Sequence, residues 1–315
     1  MPRLRKVYRN RDIVMVTSRT EEGLPLLPYS FVNLIIWSSL AKAKELYPVD
    51  IICFCFSTNH FHMLLKVINP EDFCGFVGYV KQETAHGINR LLGRRKKTIW
   101  EEGYDSPVVL DSEEIFNRIA YILTNPVKDK LSSSIESYRG VSSFQVNKRK
   151  CVAIARSSIS PLNDPDKPWK EEKEKSARLL DLNNHEIDLE VDLLSFKDCF
   201  ANTARMSDLD VLKKIQDRIN IYLSRLEPIK IVSSQRESLR RPYIPKAFGR
   251  RTICLSTIPK LRKRFISFYR SLVEQAKQAY QAVRKGFHLE FPPGVFLPTL
   301  PRAINMIRPE LSVLS

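Results

Sequence analysis

Two apolar runs separated by three residues constrain the fold of this chain more than any other feature. Val49–Phe56 reads VDIICFCF, Ser57-Thr58-Asn59 interrupts, and Phe61–Val67 resumes as FHMLLKV. Short, nearly continuous apolar runs bounded by turn residues read as buried strands. Their close succession predicts a hairpin or a tight strand pair. Cys53 and Cys55 alternate with large apolar residues, as buried strand residues do.

Helical patterns flank the pair. Tyr29–Tyr47 carries Val32, Ile35, Ile36, Leu40, Ala43 and Leu46 at helical spacing and stops at Pro48. Asp72–Leu92 reads as a second helix, with Phe73, Phe76, Val80 and Ile88 facing inward. Asp12–Thr17 (DIVMVT) and Ser106–Leu110 read as short strands. Asp111 to Glu114 opens a third helix, with acidic residues in the first turn where the helix dipole favours them. It runs through Ile115, Ile119 and Ile122 and is expected to end by Asn125, because Pro126 disfavours a helical residue before it. Strand, helix, paired strands, helix, strand, helix is an α+β order: one sheet with helices packed on it.

The texture changes near Lys148, so residues 1–150 read as one domain and 151–315 as a linker followed by a helical, basic region. Within it, 158–195 reads as linker and polar helices, with a mixed-charge run at Lys170–Lys175 and Asn183-Asn184. Ser207–Leu226 is amphipathic, with Leu209, Val211, Leu212, Ile215, Ile219 and Leu223 on its apolar side. The proline-rich Phe291–Pro301 cannot be helix. From Lys230 to Lys285 there are 15 Lys/Arg against 2 acidic residues, most of the net charge of +16. Such an excess favours a polyanionic partner, DNA, RNA or an anionic membrane.

Several classes are disfavoured. None of the six cysteines forms a C-x-x-C pair, which argues against a thiolate zinc site. The basic start has no apolar core after it, so no signal peptide is read, and no apolar run approaches the ~20 residues of a membrane span. A cytoplasmic, nucleoid-associated setting is expected, with DNA as the partner at hand and no membrane.

His60-Phe61-His62 is the first candidate site. On a strand, residues two apart project from one face, so both imidazoles can meet one ion while Phe61 buries on the other side. Two nitrogen ligands leave positions open for phosphate oxygens and water, which suits Lewis-acid work on a phosphodiester. Taken alone, an H-x-H pair is more often two ordinary histidines beside a turn. Tyr121 and Asn125 are the second candidate. Four apart on one helix, they share a face. A tyrosine hydroxyl can attack phosphorus, and an amide oxygen can join a metal's ligands. Tyr79 and Tyr104 are rival nucleophiles, better read as packing or DNA contacts. His86, His185 and His288 have no ligand-like neighbours in sequence.

In order, these segments resemble one known family. Phe54–Lys66 (FCFSTNHFHMLLK) looks like the N-H-x-H strand of the REP-associated tyrosine transposases, the insertion-sequence-200-like, single-tyrosine branch of the HUH nucleases. Met15–Gly23 (MVTSRTEEG) is similar to the family's first strand and R-T-x-x-G turn. Phe76–Tyr104 resembles its helix, N-x-x-x-G loop, tryptophan and G-Y. Ile119–Lys128 (IAYILTNPVK) resembles its Y-I-x-x-N-P-V segment. The resemblance covers roughly residues 5–145. It implies a ferredoxin-like or RRM-like antiparallel sheet, with Mg²⁺ or Mn²⁺ held by His60, His62 and Asn125. It further implies that Tyr121 cleaves single-stranded or hairpin DNA through a 5′-phosphotyrosine link, leaving a 3′-hydroxyl.

The resemblance says nothing of 151–315. DNA contacts are expected at Arg19, at the basic loop Arg94, Arg95, Lys96 and Lys97, and at Arg250, Arg251, Lys260, Arg262, Lys263 and Arg264, where Phe265, Phe268 and Tyr269 interleave. Two readings result. One is a nicking-and-joining transposase; the other is a non-catalytic, domesticated module that binds nucleic acid through an RRM-like sheet. A third, metal-dependent RNA hydrolysis, gives Tyr121 no task. One tyrosine on the helix argues for one covalent step per site, so paired cleavages need a homodimer or sequential action.

Overall fold

The computed structural model describes residues 6–26, 29–95, 98–144, 146–159, 161, 185–226, 252–287, 290–292 and 294–295. Its strands are β1 (Ile13–Arg19), β2 (Asp50–Phe56), β3 (His60–Lys66), β4 (Val108–Val109), β5 (Lys148–Val152), β6 (Glu186–Glu190) and β7 (Cys254–Leu255). Its helices are α1 (Ser30–Leu46), α2 (Pro70–Leu91), α3 (Ser112–Lys128), α4 (Ala201–Ala204), α5 (Asp208–Ser224) and α6 (Pro259–Arg284).

The main sheet runs β2-β3-β1-β4-β7. The first four strands pair antiparallel in the ferredoxin-like order. β7, from the region beyond residue 150, pairs parallel with β4 and makes the sheet mixed. Strand alternation sorts the side chains into two layers. Val14, Val16, Phe54, Phe56, Phe61, Met63 and Leu65 join the core beneath α1 and α2. Ile13, Met15, Ile52, Cys53, Cys55 and Leu64 pack with α3 and α5 on the other side. α1 and α2 approach closely at Gly87, where an added Cβ would lie 2.5 Å from the Ile35 side chain. The outer edge of β2 is occupied: Phe56 N donates to Val141 O, Ser143 N to Phe54 O, and Asp192 N to Ile51 O.

α3 does not stop before Pro126. It continues to Lys128 with the proline inside. Proline removes one donor and crowds the preceding residue, but burial of Ile122, Leu123, Asn125, Pro126 and Val127 outweighs that loss. Beyond the ring, Asp129 N still reaches Asn125 O and Leu131 N reaches Pro126 O, both at 2.8 Å. The expectation of linker and polar helices over 158–195 also needs correction. Glu186–Glu190 (EIDLE) is a strand paired antiparallel with β5. Its alternation buries Ile187 and Leu189 in the core shared with α1 and α2 and leaves three acids outside. Lys170–Lys175 and Asn183-Asn184 lie outside the described residues. In α5, Val211, Ile215 and Ile219 are buried, whereas Leu209 and Leu212 are exposed.

Candidate active site

β3 carries the site because its α3-facing side chains change character along the strand. Register sets Leu64 opposite Met15, His62 opposite Thr17, and His60 opposite Arg19. The layer is therefore apolar at one end and polar at the other. α3 crosses above it, and its i, i+4 spacing brings Tyr121 and Asn125 down onto the polar end. Phe61, between the histidines, points the other way and is fully buried against Phe56 and Trp100, with ring centroids at 4.9 and 5.0 Å.

His60, His62, Tyr121 and Asn125 are thus brought together. The two imidazole centroids lie 4.8 Å apart. His60 Nδ1 faces Asn59 Oδ1 at 2.8 Å. An amide oxygen only accepts, so Nδ1 carries the proton and Nε2 keeps its lone pair. His62 Nδ1 lies 2.8 Å from Thr17 Oγ1, and its Nε2 lies 3.4 Å from the Tyr121 hydroxyl. Both Nε2 atoms therefore turn toward α3. Burial, with Arg19 and Lys128 nearby, pushes the His60 pKa down to about 4. Burial and the adjacent His60, Lys128, Arg19 and Arg118 hold His62 well below the ordinary range. Both rings are neutral at pH 7, the form that binds metals.

Asn125 is fully buried. Its Nδ2 lies 2.7 Å from Ser57 Oγ, 3.0 Å from Asp129 Oδ2 and 3.1 Å from His60 Nε2. Its Oδ1 is buried without a partner. A bare buried carbonyl oxygen costs about 1–3 kcal/mol, so an electron-poor partner would be welcome there. Lys128 Nζ sits 3.5 Å from the Tyr121 oxygen and 4.6 Å from its ring centroid. Among the described residues, no group of three or more His, Cys, Asp or Glu side chains is placed to hold an ion. The donor set here is two imidazoles and one amide oxygen, a different composition.

Thr17, Ser57, Asn59, Lys128 and Asp129 escaped the sequence reading as site residues. Thr17 gives a signal, since it breaks the apolar alternation of Ile13 and Met15. Asp129 gives another, four residues after Asn125. The rival Tyr104 is half-buried, its hydroxyl on Cys74 Sγ at 3.6 Å and its pKa driven up by desolvation. Tyr79 packs near Tyr47.

The expected DNA contacts scatter. Arg19 stands at the rim beside His60. Arg94 lines a groove of about 750 Å³ along α2 with Lys81, His86, Arg90, Trp100 and Arg156. Arg95 is exposed. Lys260, Lys263 and Arg264 are exposed on α6, while Arg262 donates to Ser256 O at 2.7 Å. Lys96, Lys97, Arg250, Arg251 and His288 lie outside the described residues.

Known proteins can be set beside this geometry. Residues 30–125 match the family model described as transposase IS200 like. The resemblance to the IS200-like transposases holds. The matched stretch includes both histidines and ends on Asn125. A provisionally named REP-associated tyrosine transposase of Haemophilus influenzae is 22% identical over 100 residues, 29% of this chain. The chain spans 57% of that relative's length. A solved structure of a REP-associated tyrosine transposase bound to a REP hairpin shares 18% identity, with a TM-score of 0.41, over 47% of this chain and 85% of its own. No helix among the described residues is long and apolar enough to cross a membrane.

Proposed function

We propose that this chain is a metal-dependent DNA transposase that cleaves and rejoins single-stranded or hairpin DNA through Tyr121. The observation that carries this reading is the Tyr121 hydroxyl 3.4 Å from His62 Nε2, on the same helix face as the bare Asn125 Oδ1. The family match and the net charge of +16 support DNA as the substrate.

The chemistry is transesterification. Tyr121 Oη attacks a phosphodiester, a Tyr–O–P bond forms and the bond to the 3′ oxygen breaks. The phenolic proton passes to solvent, and the departing 3′ oxygen takes one up. Phosphodiester energy is kept in the 5′-phosphotyrosine, so a 3′-hydroxyl can reverse the step and join ends. Lys128 Nζ faces the phenolic oxygen at 3.5 Å, where a cation can also meet a phosphate oxygen brought up to Tyr121. His60, His62 and Asn125 would hold Mg²⁺ or Mn²⁺, which when bound supplies Lewis-acid neutralisation of charge on the scissile phosphate. Thr17 and Asn59 orient the two imidazoles through their Nδ1 atoms.

The test is incubation of the purified chain with labelled single-stranded hairpin DNA from the gene's flanks, with Mn²⁺ or with EDTA, resolved on a denaturing gel. A covalent protein–DNA band that needs Mn²⁺ and vanishes in Tyr121→Phe is expected. DNA shifted on native gels but never linked, with several flanking sequences, would overturn the reading in favour of a non-catalytic binding module.

A further inference from the structure

Asp129 lies just beyond the residues that match the family model, and the chemistry above gives it no task. It closes α3, its backbone N–H donating to Asn125 O at 2.8 Å, and its side chain folds back beneath the site. Asp129 Oδ2 accepts from Asn125 Nδ2 at 3.0 Å and lies 3.7 Å from His60 Nε2.

Amide protons are scarcer than acceptors around Asn125. The Asn125 amide nitrogen has two, and three acceptors surround it: Ser57 Oγ at 2.7 Å, Asp129 Oδ2 at 3.0 Å and His60 Nε2 at 3.1 Å. If Ser57 and Asp129 take both, the His60 lone pair is left over. If Asp129 is removed, the second proton has no acceptor within reach but His60 Nε2, and the lone pair is consumed. A carboxylate also accepts only, so Asp129 holds the nitrogen end of the amide on its own side. The bare Oδ1 is then kept on the other. Both effects act on atoms that Asp129 does not itself present to a ligand.

We infer that Asp129 is a positioning residue that keeps His60 Nε2 and Asn125 Oδ1 free for a divalent cation by taking an Asn125 amide proton. The inference rests on the metal-site reading above. Its negative charge close to His60 acts in the same direction, since a cation gains from a nearby carboxylate.

Mn²⁺ binding to the full chain without DNA tests this, by titration calorimetry or by the spin-resonance signal of free Mn²⁺. The variants are Asp129→Ala and Asp129→Asn, each with its melting temperature in EDTA. Asp129→Ala is expected to weaken Mn²⁺ binding about tenfold, the usual scale for losing a partner that orients a ligand. Asp129→Asn, whose amide oxygen still accepts a proton, is expected to fall between it and wild type. That graded affinity, with melting temperatures in EDTA little changed, is not what a merely structural role gives. Wild-type affinity in both variants, within twofold, overturns the inference and leaves the metal-site reading intact. If wild type itself binds no Mn²⁺, the metal-site reading fails and this inference with it. Asp129→Asn retains the helix-closing backbone bond, so it serves if Asp129→Ala does not fold.

Discussion

The two faces of the sheet solve different problems with the same strands. Beneath α1 and α2, the alternate residues of β1, β2 and β3 are apolar except for the buried Ser18 near the end of β1, and aromatic rings fill the layer from Phe54 to Trp100. Beneath α3, the same strands begin apolar at Ile13, Met15, Cys53 and Leu64 and end polar at Thr17, His60 and His62. The first face gives shape; the second uses that shape to hold neutral imidazoles, an amide and a phenol at fixed distances. A one-residue step along β3, from Phe61 to His62, passes from one role to the other. Stability and chemistry should therefore separate on adjacent residues.

The largest expected effect tests that separation. Phe61→Ala removes a fully buried ring between two aromatic neighbours and should cost about 3–5 kcal/mol of unfolding free energy. His62→Ala, one residue along, should cost about 1 kcal/mol while abolishing the Mn²⁺-dependent band. Chemical denaturation of both variants checks this. Equal losses of stability would mean that the polar end is as much a part of the packed core as the aromatic layer.

The next effect falls at the far end of α3. Asp111 caps the helix by accepting from Glu114 N at 2.9 Å. It also accepts from Ser256 Oγ at 2.6 Å and from Thr257 N and Oγ1 at 2.9 Å, tying the chain after β7 to the helix that carries Tyr121. Asp111→Ala should cost about 2–3 kcal/mol, from the lost cap and the donors left unpaired. Burial raises the Asp111 carboxyl, but the bonds from Ser256, Glu114 and Thr257 outweigh it and leave the pKa below its usual 3.8. A depressed pKa means stabilisation that is full above the unfolded value and lost as pH falls through the folded one. The gap between wild type and Asp111→Ala should then be constant above about pH 5 and shrink below pH 3.8. A gap that widened toward acid would contradict the assignment.

Much of this was legible in the sequence, and the exceptions share a cause. α1, α2 and the β2–β3 pair announce themselves because their apolar periods are long. His60, His62, Tyr121 and Asn125 are paired by i, i+2 and i, i+4 spacing, which sets each pair on one face, but the ordered resemblance to a known family is what singles them out. β4 is legible as the short strand read at Ser106–Leu110, but β7 is two residues long and its pairing depends on a partner some 145 residues away, Val108 N to Ile253 O and Leu110 N to Leu255 O. β6 hides because EIDLE buries only two side chains among three acids. The passage of α3 through Pro126 was decided by tertiary burial, which local preference does not contain. Thr17, Ser57 and Asp129 come beside His60, His62 and Asn125 only because register and a helix end bring them there.

The smallest predicted effect asks how far the polar end depends on those hidden partners. Thr17 contributes one hydroxyl, 2.8 Å from His62 Nδ1. Thr17→Val keeps the shape and β-propensity of the side chain and removes only that group. His62 would keep its buried position through packing under α3 but lose what sets its rotation and proton placement. Stability should change by less than about 1 kcal/mol. Mn²⁺ affinity should still weaken about tenfold, because a ligating imidazole is held by the partner of its other nitrogen. The two faces would then differ in kind: on the α3 face β1 adds to the apolar volume of Ile13 and Met15 one hydroxyl that orients an imidazole. If Thr17→Val binds Mn²⁺ like wild type, the imidazole is oriented by packing alone, and the polar end is an extension of the core rather than a separately tuned layer.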